Sequence, residues 1–148
     1  MSSEPAASIV ILSWNGRQYL EPCLNAVAAQ QGIEFETILV DNGSTDATAA
    51  FVRERFPWVR LVALAENRGF AGGNNAGARD ARGRFLVLLN NDTVPEPGWL
   101  AALLRGRERG GANALASSQI VYMHDPRVID SAGDGLLRWG GAFKRDLG

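Results

Sequence analysis

Arg84-Phe85-Leu86-Val87-Leu88-Leu89-Asn90-Asn91-Asp92-Thr93 opens as an unbroken apolar run of strand length. It ends in two amides and a carboxylate, with Pro95 and Pro97 just beyond. A run apolar on both faces reads as a central strand of a covered parallel sheet. In open α/β sheets ligands sit just outside the carboxyl ends of the strands. The stretch therefore delivers Asn90, Asn91 and Asp92 to a binding crevice. A hard oxygen donor there suits a divalent cation, Mg²⁺ or Mn²⁺, that also holds substrate phosphates. Taken alone, the same residues also fit a polar strand-to-loop junction with no ligand.

Working outward, strands and helices alternate. Ser8 to Ser13 has a buried-strand pattern and Trp14-Asn15-Gly16 a turn. Arg17 to Gln31 carries Leu20, Leu24, Val27 and Ala28 at helical spacing, and Gly32 ends the helix. Glu36 to Val40 is a second apolar strand, followed by the turn Asp41-Asn42-Gly43-Ser44. Ser44 or Thr45 is placed to cap a helix that runs to about Phe56, where Pro57 stops it. Val59 to Leu64 is a third strand, a Gly- and Asn-rich helix ends near Gly83, and Gly98 to Arg109 is another helix. The order β-α-β-α-β-α-β predicts a parallel sheet with right-handed crossovers and helices on both faces. Beyond it, Ala112 to Met123 reads as one strand. Val128 to Phe143 holds too many glycines for a helix and reads as short strands or a flap.

Composition excludes several classes. The 148 residues suit one domain with a substantial core: 46% are hydrophobic and 21% charged. A net charge of −1 gives no reason to expect nucleic acid as a partner. Cys23 is the only cysteine, which excludes an intrachain disulfide and a cysteine-cluster metal site. His124 is the only histidine, which excludes a histidine-cluster zinc site; it sits before Asp125-Pro126, as in a surface loop. No apolar run reaches the length of a membrane span. Residues 1–7 read as a loose tail without the features of a signal peptide, which gives the expectation of a cytoplasmic protein.

Parallel strands place three polar ends at one edge: Ser13-Trp14-Asn15, Asp41, and Asn90-Asn91-Asp92. Asp41 can accept a hydrogen bond from the ring N–H of uracil or thymine, or can close an Asx-turn with its own loop. Trp14 offers a stacking face, worth about 1–3 kcal/mol per base, or can fill the core.

Val-Asp-Asn-Gly-Ser-Thr-Asp (Val40 to Asp46), Asn-Arg-Gly-Phe-Ala-Gly-Gly-Asn-Asn-Ala-Gly (Asn67 to Gly77) and Leu-Leu-Asn-Asn-Asp-Thr (Leu88 to Thr93) together resemble family 2 glycosyltransferases, and within them the rhamnosyltransferase-like branch. The resemblance runs from Ser8 to the end of the chain. It implies the GT-A fold, a Rossmann-like three-layer α/β/α sandwich with a mostly parallel central sheet. It also implies a nucleotide-diphosphate sugar donor (UDP- or dTDP-linked, dTDP-rhamnose among them), a saccharide or lipid-linked acceptor, a divalent metal and inversion at the anomeric carbon. The bacterial setting that goes with it is cell-wall polysaccharide synthesis at the inner face of the membrane. By the same resemblance Asp41 reads the base and Trp14 lines its pocket with Ser13 and Asn15. Asn67, Arg68 and Gly69 form the loop beside the nucleotide, and Asn75 and Gly77 match an Asn-x-Gly on the next helix. Asn90, Asn91 and Asp92 stand where the family carries a D-x-D-type motif, so Asp92 inherits the metal.

The match departs from the common motif at Asn90, an amide that can still bond ribose hydroxyls but removes one negative charge near the metal. The family's downstream acidic base motif is not recognisable. Asp125, Asp130, Asp134 and Asp146 are available, but each fits a loop or turn, so the catalytic base is unassigned. Residues 8–148 are therefore expected to be the donor-binding portion of a longer enzyme, with a non-catalytic nucleotide-sugar-binding module or inactive fragment as the alternative. An unclosed domain of this kind is expected to expose Leu136, Leu137, Trp139 and Phe143 and to self-associate through its C-terminal segment.

Overall fold

Ala-Ser-Ile-Val-Ile-Leu-Ser, strand β1 (Ala7–Ser13), is buried almost throughout because it has a parallel strand on either side. The computed structural model describes residues 4–111, 114–132, 134–136 and 142–144. They fall into two compact units, Met1–Trp99 and Leu100–Gly148.

In the first unit, β1 is followed by α1 (Arg17–Ala28), β2 (Phe35–Asp41), α2 (Thr48–Arg55), β3 (Arg60–Ala63), α3 (Gly69–Asp80) and β4 (Phe85–Asn90). The sheet order is β3-β2-β1-β4 with every pair parallel. Two crossovers, right-handed by the general rule for parallel strands, carry the chain from β1 to β3 in one direction. The third returns across the sheet to β4, which puts α3 on the opposite face. That face carries Val10, Ile38 and Val40, all fully buried. Gly77 lets α3 approach it: a Cβ there would stand 2.5 Å from Val10 and 2.8 Å from Val40. The other face presents Ile9, Ile11 and Leu39, also fully buried.

Several expectations change. Phe85–Asn90 is not a central strand but the edge of the sheet among the described residues, and β1 and β2 take the two inner positions. Only Val87, level with Ile9, is buried, while Leu86 and Leu88 are about half exposed. An apolar run records that both faces are apolar, not which neighbours cover them. The first helix stops at Ala28 rather than Gln31. Neither Ser44 nor Thr45 caps α2: its N-cap is Ala47, in the left-handed region at φ 63°, and the Asp46 carboxylate instead accepts from Thr48 N–H at 3.1 Å.

The amino edge of the sheet is closed by one partly buried carboxylate. Glu36 accepts from Ser8 Oγ (2.7 Å), from the Arg82 backbone N–H (2.6 Å) and side chain (2.9 Å), and from Arg60 (2.9 Å). Burial alone would raise its pKa. The hydrogen bonds from Ser8 and Arg82 and the Arg60 charge outweigh burial and hold it below the usual carboxylate value.

The second unit begins one residue into α4 (Trp99–Arg109), whose Leu100 and Leu104 are buried, one helical turn apart. Arg107 and Arg109 stand in its last turn, where the helix dipole favours cations. Two antiparallel pairs follow, β5 (Ile120–Tyr122) with β6 (Asp125–Ser131) and β7 (Asp134–Leu136) with β8 (Ala142–Lys144). The single strand expected over Ala112 to Met123 is thus reduced to Ile120–Tyr122 among the described residues. The residues expected to form an exposed apolar surface cannot be compared: Leu137 and Trp139 lie outside the described residues, as do the side chains of Leu136 and Phe143. No described helix is long and apolar enough to cross a membrane.

Candidate functional site

Strand register aligns the polar ends. Ser13 pairs with Asp41 across β1 and β2, and Leu12 with Asn90 across β1 and β4. Because β1 is left in opposite directions toward β2 and toward β4, its carboxyl end is the topological switch point where an open sheet parts into a crevice. Each of α1, α2 and α3 follows a parallel strand, so their N-termini open on the same edge and favour negative charge there.

The gap between β1 and β4 is bridged directly: Asn91 Nδ2 donates to Ser13 Oγ at 3.1 Å. Gly16 makes room for this, since a Cβ there would run into the Asn91 amide. The β1 and β2 turns are laced together as well. Asn15 N–H donates to Ser44 Oγ at 3.0 Å, and Asn15 Oδ1 accepts from Thr45 N–H at 2.8 Å. These bonds hold Asn15 in the left-handed region, φ 50°. Asp41 is 5% exposed, and its Oδ1 accepts from Ser44 N–H at 3.0 Å. The Asx-turn is therefore formed, and it occupies one oxygen of the two. Trp14 is 57% exposed, so it is not core and its ring is open to a ligand.

Asp92 follows β4 with an exposed side chain that makes no hydrogen bond or ion pair among the described residues. It does act at a distance. Burial first, and then the Asp92 charge, push the Cys23 thiol up to about 12. Cys23 packs beneath the loop with Sγ 3.9 Å from the Asn90 carbonyl oxygen, which also accepts from Thr93 Oγ1 at 2.6 Å. No three His, Cys, Asp or Glu converge among the described residues. The donor set fits a Mg²⁺ or Mn²⁺ that takes one carboxylate from protein and its other ligands from phosphates and water. It does not fit an ion held by protein alone.

On the far side of β2, Asn67, Arg68 and Gly69 lead into α3. Asn67 Oδ1 accepts from Gly69 N–H at 2.8 Å and from Asn42 Nδ2 at 2.9 Å. Its carbonyl is therefore spent on shaping its own loop. Asn75 lies on the exposed side of α3, and no bond links it to the other candidates. Two contributors escaped the sequence reading, Asn42 and Asp46. Asp46 accepts from Arg17 N–H at 3.0 Å, a partner 29 positions away, so no local pattern announces it. Burial would raise the Asp46 carboxyl, but bonds from Thr48 and Arg17 hold it below the usual value. A separate groove of about 190 Å³, lined by Ala26, Ala29 and Val94 to Pro97, contains none of these residues.

The model of the family described as "Glycosyl transferase family 2" matches residues 8–140. The succinoglycan biosynthesis protein ExoO of Rhizobium meliloti is 33% identical over 126 residues, 84% of this chain and 36% of that protein. The glycosyltransferase AglE of Haloferax volcanii is 30% identical over 67% of this chain and 34% of its own length. The chain thus spans about a third of the length of these curated relatives. Among solved structures, a mannosyltransferase from Pyrobaculum calidifontis in complex with GDP-Man and Mn²⁺ superposes with a TM-score of 0.64. It is 28% identical, and the match covers 70% of this chain and 32% of that one. S. aureus TarS 1-349 in complex with UDP-GlcNAc superposes at 0.61 with 27% identity, covering 69% and 32%.

Proposed function

Because the chain belongs to glycosyl transferase family 2, we propose that the crevice beyond β1, β2 and β4 binds the nucleotide-diphosphate sugar donor of an inverting transfer. The acceptor is a glycan or a lipid-linked saccharide, reached in the cytoplasm or at the inner face of the membrane. The observation that carries this reading is the Asn91–Ser13 bond across the switch point, with the exposed Asp92 beside it. Trp14 stacks on the base, and the Asp41 oxygen not engaged by Ser44 accepts its ring N–H. This selects uracil or thymine, hence a UDP- or dTDP-sugar, dTDP-rhamnose included. Asn90 bonds ribose hydroxyls, and Arg68 faces the diphosphate.

In the transfer an acceptor hydroxyl oxygen attacks the anomeric carbon from the face opposite the diphosphate. The bond from that carbon to the phosphate oxygen breaks, and its electron pair leaves on the diphosphate. The hydroxyl proton passes to a carboxylate base. A divalent cation bound by Asp92 would offset the charge developing on the leaving group. Arg68 and the helix N-termini add to that electrostatic support. Asp125 is a poor candidate for the base: Arg127 engages both of its oxygens, at 2.8 and 3.0 Å, and holds its pKa down.

Calorimetry with UDP, dTDP, CDP and GDP, with and without Mn²⁺, tests the reading. It requires Mn²⁺-dependent binding of UDP or dTDP in preference to CDP. Absence of nucleotide binding under every condition overturns it.

A further inference from the structure

Asn42 sits one residue beyond β2, is 2% exposed, and uses both ends of its amide on a single distant loop. Its Nδ2 donates to Asn67 Oδ1 at 2.9 Å and to the Gly69 carbonyl at 3.2 Å, and its Oδ1 accepts from Arg68 N–H at 2.9 Å. Its own backbone N–H donates to Ser13 O at 2.8 Å, tying it to the end of β1. The next residue completes the clamp. Gly43 has φ +73°, and a Cβ there would stand 2.6 Å from the Glu66 carbonyl carbon and 2.9 Å from Asn67 N, so the loop lies directly on the Gly43 backbone. Three consecutive residues, Asn67, Arg68 and Gly69, are thus fixed by one buried side chain. The Arg68 side chain is left exposed, with no ion pair among the described residues.

We propose that Asn42 is a positioning residue that sets where the Arg68 cation stands at the donor crevice, and so controls affinity for the anionic part of the donor. The inference rests on the donor-site reading above. Its chemical core is that only an amide donates to two carbonyl oxygens while accepting from an N–H. A carboxylate of the same shape still accepts from Arg68 N–H but turns an anionic oxygen toward Asn67 Oδ1 and Gly69 O. The neighbouring Asp41 has the opposite need, since Ser44 N–H asks only for an acceptor.

The test combines Asn42→Asp, Arg68→Ala and the double substitution in the full chain. UDP affinity is read by calorimetry in the presence of Mn²⁺, with hydrogen exchange at residues 67–69. In the parent the Arg68 amide exchanges slowly, because its acceptor is buried. Asn42→Asp weakens UDP binding by about tenfold at neutral pH, the size of coupling expected for residues in one network. The loss shrinks at acid pH, where the introduced carboxyl regains a proton to donate. In the Arg68→Ala background the substitution has no further effect on affinity. Additive losses overturn the positioning role, as does unchanged affinity with faster exchange. An Arg68 amide that exchanges freely in the parent overturns the clamp without any variant. Should Asn42→Asp fail to fold, Gly43→Ala presses on the same loop from beneath and is read by the same cycle with Arg68→Ala. A parent that binds no nucleotide overturns the donor-site reading itself. A parent that binds while the substitutions act additively overturns only the role of Asn42.

Discussion

At the amino edge of the parallel sheet, Glu36 is 12% exposed and meets Ser8, Arg60 and Arg82, and Arg60 also donates to the Asp80 carbonyl at 2.6 Å. At the carboxyl edge of the same strands, Asp92, Arg68 and Trp14 are exposed, and neither Asp92 nor Arg68 has an ion-pair partner among the described residues. Both edges are rich in polar side chains, so polarity does not distinguish them. Saturation does. A charge whose partners are all within the chain holds the chain together, and nothing is left over for a ligand. The carboxyl edge keeps its backbone just as ordered, through Asn42, Asn15, Ser44 and Asp46, yet leaves three unlike groups unspent: an anion, a cation and an aromatic face. Substitutions of the saturated charges at the amino edge should therefore move stability alone, and substitutions of the unspent groups at the carboxyl edge ligand affinity alone.

The largest effect expected is at Asp92. Asp92→Ala removes the Mn²⁺-dependent increment in nucleotide affinity entirely and leaves the unfolding free energy within about 0.5 kcal/mol of the parent, as for other exposed sites. Calorimetry with and without Mn²⁺, beside denaturant titration, reads both. A variant that keeps metal-dependent binding breaks the comparison at its ligand-facing end.

Glu36→Ala is the mirror experiment. It removes the only acceptor of the Ser8 hydroxyl among the described residues, leaves the Arg82 backbone N–H with just its longer bond to Ser8 Oγ at 3.2 Å, and costs about 2 kcal/mol of stability. UDP affinity stays at the parent value. The pH dependence follows with a definite sign. Glu36 and Asp46 both have folded pKa values below their ordinary values of 4.5 and 3.8. Their contribution is therefore complete above those values and is lost as pH falls through the lower, folded ones. Unfolding midpoints should be flat from neutral pH down to about pH 5 and then drop, and Glu36→Gln should make the drop shallower. An equal drop in parent and variant removes Glu36 from the account.

Asp41→Asn sharpens the comparison, because Asp41 belongs to both kinds. The oxygen of the introduced amide can keep the bond to Ser44 N–H, but an N–H donor replaces the remaining acceptor. UDP and dTDP affinity should fall by about tenfold, one charge-assisted bond, while CDP, whose ring nitrogen is an acceptor, loses nothing. Equal losses for all three nucleotides would exclude base reading by this residue.

The same contrast explains what the sequence made legible. Strands and helices of the first unit announce themselves through local periodicity, and their ends lie within a few residues of expectation. Asp41, Trp14 and Asp92 stand out as candidates because they break that periodicity at strand ends. The family resemblance then supplied roles that spacing alone left open. Asn42 and Glu36 were not legible, because their partners are 24 to 46 positions away and an amide in a turn looks the same whether or not it clamps a loop. The position of β4 at the edge was hidden for a related reason: strand order belongs to the topology, and Leu86 and Leu88 carry no mark of what stands beside them.

The smallest effect is expected at the one bond that joins the ends of β1 and β4. Ser13 is 1% exposed and its Oγ accepts from Asn91 Nδ2. Ser13→Ala deletes that acceptor without leaving a cavity of any size. Asn91 is only partly buried, so its amide can turn to water. The loss of stability should therefore be about 1 kcal/mol, the net value of a hydrogen bond whose partner is resolvated. The bond's second effect is on order. With it, Asn90, Asn91 and Asp92 are tethered to β1, an inner strand; without it, the loop must be fixed anew when nucleotide and metal arrive. Ordering one loop side chain costs about 0.5–1.5 kcal/mol on binding, so UDP affinity should fall by about threefold to tenfold, with the Mn²⁺ dependence intact. Asn91→Ala should give the same loss, and the double substitution no more than either one alone. Full additivity of the two would mean that Ser13 and Asn91 act on the nucleotide separately, and that the bond between them does not organise the crevice.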